Sequence, residues 1–281
     1  MRHIFSQMVM KFVAIILIIL MFSGQSFSAF TLPLTGNAAE VYRRAQSGRW
    51  FAESEKLSPE IIPTSDGQSF IVVWKATGTV PKHWIVSLHG SHGFATDDLA
   101  IWYPHIKNLD LGLVCVQWWI GTDDSNKSYY APMQIYREVD IVLQKLGIQP
   151  GTAMLHGFSR GSANSYAITA LDSGRGKRYF SLSVASSGGV SLDYPPTRAI
   201  LEGRFGDHPL RDTRWITVAG AHESNPDRDG IAGMKRTAGW LKEQGATVIE
   251  TIEDPNEGHG ALMRNEKNTR RVLELFLNER H

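Results

Sequence analysis

Short apolar runs rich in β-branched and aromatic residues recur along this chain, and helical patterns or glycine-rich breaks separate them. The runs are 69–75 (SFIVVWK), 83–88 (HWIVSL), 113–119 (LVCVQWW), 152–156 (TAMLH), 180–185 (FSLSVA), 215–219 (WITVA) and 246–252 (ATVIETI). Each reads as a strand. Between them, 132–146 places Ile135, Val139, Ile141, Val142 and Leu146 at helical spacing, with Gly147 as its cap. Helices are also expected over 162–171, over 231–244 up to Gly245, over 269–277, and briefly near 38–45. Strands this continuously apolar are covered on both faces, and their alternation with helices points to parallel pairing. The expected class is therefore α/β, a mostly parallel central sheet with helices on both faces. There is no internal repeat, no low-complexity tract and no long Pro/Ser linker, so one domain is the economical reading.

The N-terminus has a different character. Arg2, His3 and Lys11 give a basic start, 12–22 is an uninterrupted apolar run of 11 residues, and Ser26-Phe27-Ser28 offers small residues for cleavage. The run is too short to span a bilayer comfortably, so residues 1–28 read as a signal peptide. The expected location is secreted or periplasmic, with no stable membrane insertion once the signal is removed. No cysteine follows closely on the run, which disfavours a lipid anchor. Residues 29–48 read as an N-terminal lead-in. Without Arg2 and Lys11 the formal net charge moves from +1 to −1, a balance that points to neither nucleic acid nor an anionic membrane as partner. Cys115 is the only cysteine, so no intramolecular disulfide can form. Its apolar run marks it as a small buried hydrophobe.

Directly after the 152–156 run comes Gly157-Phe158-Ser159-Arg160-Gly161, a Gly-x-Ser-x-Gly pentapeptide. Such a strand-to-helix corner presents a serine hydroxyl to a substrate carbonyl, and its tightness leaves no room for Cβ atoms beside the serine. A serine hydroxyl needs an adjacent base. His259, in Asn256-Glu-Gly-His-Gly260, follows the 246–252 strand and precedes the closing helix. The histidine in turn needs an acid on its other nitrogen. The loop after 215–219 offers Glu223 first, then Asp227 and Asp229. Asp227 stays open as the alternative, while Asp229 suits a cap for the helix that follows. His156 reads as a core residue. His92 and His222 lie near the expected site. Neither they nor the Asp123-Asp124-Ser125-Asn126 turn makes a metal-binding pattern, so no metal and no cofactor is expected.

The order Ser159, acid, His259 on alternating strands and helices resembles the α/β-hydrolase superfamily across nearly all of the chain after the signal. That resemblance implies a hydrolase catalytic domain over 49–281, with Ser159 as nucleophile, His259 as base and Glu223 as acid. An aspartate is commoner than a glutamate at this place in the family. It also implies an oxyanion hole built from two backbone N–H groups. One belongs to Arg160. The other is expected at Ser91, because His89-Gly90-Ser91-His92-Gly93 is similar to the family's His-Gly element. The Arg160 side chain is open between an anionic substrate and solvent.

Ligands of open α/β sheets bind beyond the carboxyl ends of the strands. Trp102, Tyr103, Trp118, Trp119, Tyr129 and Tyr130 cluster at that edge, and His92, Trp118 and Trp119 are taken as substrate-binding. The expected partner is a small-molecule ester, with aromatic or sugar-linked groups the best fit. Only 25 residues separate Gly189 from Trp215, too few for a large lid. The leading expectation is a secreted serine esterase of the carboxylesterase kind, working through an acyl-enzyme. A peptidase or amidase with the same triad is the enzymatic alternative, and a non-catalytic binding protein on a hydrolase scaffold is the third reading.

Overall fold

The apolar runs assemble into one sheet whose two faces are both covered. The structure, a computed structural model, describes residues 33–76, 78–174 and 177–278. The expected signal peptide lies outside these residues. The strands are β1 (Glu60–Pro63), β2 (Phe70–Trp74), β3 (His83–Leu88), β4 (Leu111–Val116), β5 (Ala153–Phe158), β6 (Phe180–Ser186), β7 (Arg214–Gly220) and β8 (Thr247–Asp254). They lie in the order β1-β2-β4-β3-β5-β6-β7-β8. β1 and β2 pair antiparallel, β2 pairs antiparallel with β4, and every pair from β4 to β8 is parallel. The helices are α1 (Gly36–Ala45), α2 (Phe51–Glu55), α3 (Ala95–Ile106), α4 (Pro132–Lys145), α5 (Arg160–Gly174), α6 (Pro195–Leu201), α7 (Ile231–Glu243), α8 (Ala261–Arg264) and α9 (Glu266–Leu277). Parallel neighbours need a crossover, and α3, α4, α5 and α7 lie in those connections. Among the described residues no helix is long and apolar enough to cross a membrane.

Successive residues of each strand go to opposite cores. Ile85, Leu113 and Cys115 pack with Val41 of α1, Leu99 and Trp102 of α3 and Phe276 of α9. Their neighbours Val86, Val114 and Val116 pack with Ile135, Val139 and Leu143 of α4 and Ile168 of α5. A further cluster joins Tyr166 of α5, Trp215 of β7 and Leu241 of α7. Cys115 is fully buried, and burial raises its thiol pKa well above the ordinary range.

The α/β class expected from the runs is the class the chain adopts, with differences at particular elements. The 113–119 run stops being strand at Val116. Gln117 turns it there: its side-chain amide donates to the Trp119 carbonyl at 2.9 Å, and its Oε1 accepts the Ala95 N–H at 2.9 Å. The lead-in carries α1, whose Ala38, Val41 and Ala45 are buried, Val41 and Ala45 in the core that also holds Ile85 and Leu113. α3 was not foreseen. Its buried face, Leu99, Trp102 and Ile106, has helical spacing, but Pro104 and the adjacent aromatics obscure it. β1 is only four residues long and includes Pro63, tolerable because it is a sheet-edge strand.

Under α3 lies a buried polar group. Ser87 Oγ contacts Asp98 Oδ2 at 2.6 Å and His156 Nδ1 at 3.1 Å, and Trp102 Nε1 donates to His156 Nδ1 at 3.3 Å. Asp98 keeps part of its surface open to a cleft, yet burial of its carboxyl pushes its pKa up to about 7. The unfolded chain releases that proton near pH 3.8, so between there and about pH 7 the folded state holds the extra proton. Asp98 therefore contributes stability that is complete at low pH and lost as pH rises through about 7. Asp98→Asn does not titrate. Thermal melts at pH 5 and pH 8 should show the variant gaining on the wild type by several degrees as pH rises. A constant difference would contradict this.

Candidate active site

Phe158 ends β5 and Arg160 begins α5, so Ser159 is the single residue between strand and helix. Its φ is +54°, a left-handed conformation that an L-residue adopts at a cost of about 1–3 kcal/mol. The neighbouring glycines make the corner possible. A Cβ on Gly157 would lie 2.5 Å from the Gly161 carbonyl oxygen, and one on Gly161 would run into the Leu88 carbonyl oxygen. Two backbone bonds then pin the corner: Ser159 N–H donates to Ser186 O at 2.8 Å, and Ala163 N–H donates to Ser159 O at 3.1 Å.

The structure brings Ser159, His259 and Glu223 into one hydrogen-bonded line. His259 Nδ1 lies 2.8 Å from Glu223 Oε2 and His259 Nε2 lies 2.9 Å from Ser159 Oγ. A carboxylate only accepts, so Nδ1 carries a proton toward Glu223 and Nε2 of the neutral ring accepts from the serine hydroxyl. The Glu223 side chain is fully buried, whereas His259 keeps 43% of its side chain exposed. The loops after β7 and β8 are tied together, with Ala221 N–H on Asp254 O at 2.8 Å and His222 N–H on Glu257 O at 3.0 Å. That tie sets the acid beside the histidine. The rival acids are elsewhere: Asp227 is exposed, and buried Asp229 is paired with Arg228 at 2.7 Å. His222 is exposed in the same loop, with its backbone rather than its ring engaged in the tie.

Asp254, at the end of β8, was missed in the sequence. It is buried, its Oδ1 accepts the N–H groups of Asn256 and Glu257, and its Oδ2 accepts the amides of Asn265 and Asn268 at 2.6 and 2.7 Å. It fixes the loop that carries His259. The signal was an aspartate two residues before an asparagine in a turn, a common self-bonding pattern.

The His-Gly loop lies against Ser159. A Cβ on Gly90 would sit 3.2 Å from Ser159 Cβ. Ser91 and Arg160 both line the pocket of about 360 Å³ that contains Ser159. Neither backbone N–H has an acceptor among the described residues. His89 anchors this loop. It is buried, and burial lowers its pKa to about 4, so the ring is neutral. Its Nδ1 contacts Gly90 O at 2.7 Å and must donate there, which leaves Nε2 to accept the Trp118 N–H at 3.3 Å.

The residues taken as substrate-binding divide differently from the expectation. Trp118 has no exposed surface; it stacks on His89 at 5.4 Å and donates its Nε1–H to His89 O. Trp118 is not among the residues lining the pocket that contains Ser159, and it supports the His-Gly loop instead. Trp119 is also buried, under the Arg44 guanidinium and against His92. His92 is exposed, with its ring 3.5 Å from Asp124. Trp102 and Tyr103 belong to α3, and Tyr129 and Tyr130 are buried.

The Arg160 side chain is committed within the protein. Its guanidinium donates to Asp124 Oδ1 and to Asn126 Oδ1, each at 2.6 Å, and lies 4.1 Å from the Tyr129 ring centroid. It thereby clamps the 123–126 turn beside Ser159, and that clamp replaces the two open readings of its side chain. Asp123 is occupied within the turn by Ser125 and Ser128. Among the described residues no cluster of His, Cys, Asp and Glu could hold a metal ion. Tyr194, just before α6, accepts from the Asn164 side-chain amide at 2.6 Å through its hydroxyl oxygen and lines the Ser159 pocket.

No family model matches this chain, and no curated protein does. Solved structures match its shape. One of two fungal esterases from Rhizomucor miehei is similar at TM-score 0.60 and 12% identity, over 90% of this chain and 93% of that one. An esterase from the archaeon Pyrobaculum calidifontis is similar at TM-score 0.59 and 14% identity, over 88% and 97%. A carboxylesterase from Mesorhizobium loti is similar at TM-score 0.55 and 15% identity, over 78% and 99%. The fold is the α/β-hydrolase fold.

Glu223→Gln keeps the shape of the acid but removes its charge and its hold on the tautomer. Turnover of an activated ester should fall about 10³- to 10⁴-fold, by the general behaviour of such triads. Asp227→Asn should stay close to wild type. Equal losses in the two variants would contradict the assignment of the acid.

Proposed function

We propose that this protein is a serine hydrolase that cleaves carboxylic esters, transferring the acyl group to Ser159 and then to water. The reading rests above all on the hydrogen-bonded line Ser159–His259–Glu223 at a left-handed strand-to-helix corner. Ser159 Oγ attacks the carbonyl carbon while its proton passes to His259 Nε2. Glu223 holds Nδ1–H and stabilises the imidazolium. The developing oxyanion is received by the N–H groups of Ser91 and Arg160. Collapse of the tetrahedral intermediate expels the alcohol, which takes the proton from His259. Water then attacks the acyl-serine, gives its proton to His259, and the second collapse frees the acid and returns the proton to Ser159. The route calls for no cofactor.

The solved proteins of similar fold are described as esterases and carboxylesterases, which favours esters over amides. The basic, apolar and small-residue sequence of 1–28 supports export, so the site of action is secreted or periplasmic. The pocket at Ser159 has charged and hydroxyl-bearing walls, among them Asp124, Asp193, Tyr194 and Arg228, and suits a small polar moiety.

A fluorophosphonate probe should label Ser159 alone, and the wild type should hydrolyse p-nitrophenyl acetate faster than a matched anilide. Ser159→Ala should lose labelling and at least about 10³-fold in rate. A Ser159→Ala protein that still labels or still turns over contradicts the proposal. Faster anilide cleavage supports an amidase, and a wild type that never labels supports a binding role.

A further inference from the structure

Phe158 and His259 line a second cleft, of about 620 Å³, that none of the steps above uses. Trp50, Ile101, Trp102 and Met263 give it apolar walls. Two of its lining residues, His156 and Ser186, are 2% and 1% exposed, and each carries a polar atom with no hydrogen-bond partner: His156 Nε2 and Ser186 Oγ. Buried polar atoms are nearly always paired, so two orphans lining one cleft call for a ligand that pairs them.

The proton on His156 can be placed. Trp102 Nε1 can only donate, and it points at His156 Nδ1 from 3.3 Å. Nδ1 therefore accepts, and the Ser87 hydroxyl, 3.1 Å from the same nitrogen, can donate to it or to Asp98. Burial lowers the ring's pKa to about 3, so it is neutral and its one proton is on Nε2. The orphan is a donor. The Ser186 hydroxyl, which lines the same cleft, can donate or accept. The complementary group is an oxygen that accepts from Nε2–H and pairs with the serine hydroxyl, and a neutral hydroxyl does both whichever way the serine turns. Asp98 also lines the cleft and, once ionised above about pH 7, disfavours a carboxylate, while Arg49 and Arg264 line it from exposed positions.

We propose that this cleft binds a phenolic ring belonging to one half of the ester substrate. The ring packs among Trp50, Trp102 and Phe158, and its hydroxyl oxygen accepts from His156 Nε2–H and pairs with Ser186 Oγ. As a statement about substrate this rests on the ester-hydrolase reading; as a statement about the ligand of the cleft it does not.

The test titrates the wild type with 4-ethylphenol, ethylbenzene and 4-ethylbenzoate, following tryptophan fluorescence, since Trp50 and Trp102 line the cleft. Fluorophosphonate labelling of Ser159 is timed in the presence of each compound. 4-Ethylphenol should bind about tenfold or more tighter than ethylbenzene, because the hydrocarbon leaves both buried polar atoms unpaired. It should bind more tightly than 4-ethylbenzoate and should slow the labelling. Ser186→Ala should shrink the phenol-to-hydrocarbon ratio several-fold. Equal affinity for phenol and hydrocarbon, tighter benzoate, no binding, or binding that leaves labelling unchanged would overturn the proposal. Should the free protein fail to label at all, the ester-hydrolase reading falls, and the phenol preference in the titration still decides what the cleft binds.

Discussion

The left-handed backbone of Ser159 is the constraint around which the rest of the site is arranged. A residue at φ +54° persists only where its surroundings over-determine it. Here β5 enters the corner from the middle of a parallel sheet and α5 leaves it, so strand pairing on one side and helix packing on the other hold the two ends. The Ser186 carbonyl takes the Ser159 N–H, and the Leu88 carbonyl approaches Gly161 too closely for any side chain. Each of these partners lies at the carboxyl end of a neighbouring strand. The sheet edge that creates the corner therefore also supplies the His-Gly loop.

Three buried or half-buried histidines serve different ends through the same rule, that the partner of one ring nitrogen fixes the other. A carbonyl on Nδ1 of His89 makes its Nε2 an acceptor for backbone. An indole on Nδ1 of His156 makes its Nε2 an unpaired donor. A carboxylate on Nδ1 of His259 makes its Nε2 an acceptor for a serine hydroxyl. Burial keeps the first two neutral. His259 alone of the three joins a buried carboxylate to a hydroxyl that lines the pocket.

Much of this was legible in the sequence, for physical reasons. Strands buried on both faces leave largely apolar runs, so β3, β5, β6 and β7 stand out, and Gly157, Gly161 and Gly258 mark corners where a Cβ would meet backbone. Glu223 could be ranked because it is the first carboxylate past β7. The aromatic residues misled. Trp118 and Trp119 lie at the expected edge, but the chain there is turned by Gln117, whose bonds to Trp119 O two residues on and to the Ala95 N–H 22 residues back leave no periodic trace. α3 was hidden because its apolar spacing is interleaved with aromatics and a proline. The role of the Arg160 side chain depended on a turn 34–36 residues away, a distance over which sequence carries no local signal.

The central claim is that Ser159, poised at that corner, delivers a developing oxyanion to the N–H groups of Ser91 and Arg160. A crystal structure of the protein after reaction with a small fluorophosphonate tests it most directly. The account predicts a covalent bond from Ser159 Oγ to phosphorus, with the phosphoryl oxygen about 2.7–3.1 Å from both N–H groups. A phosphoryl oxygen turned to solvent or to another donor, or an adduct on any other residue, would contradict it.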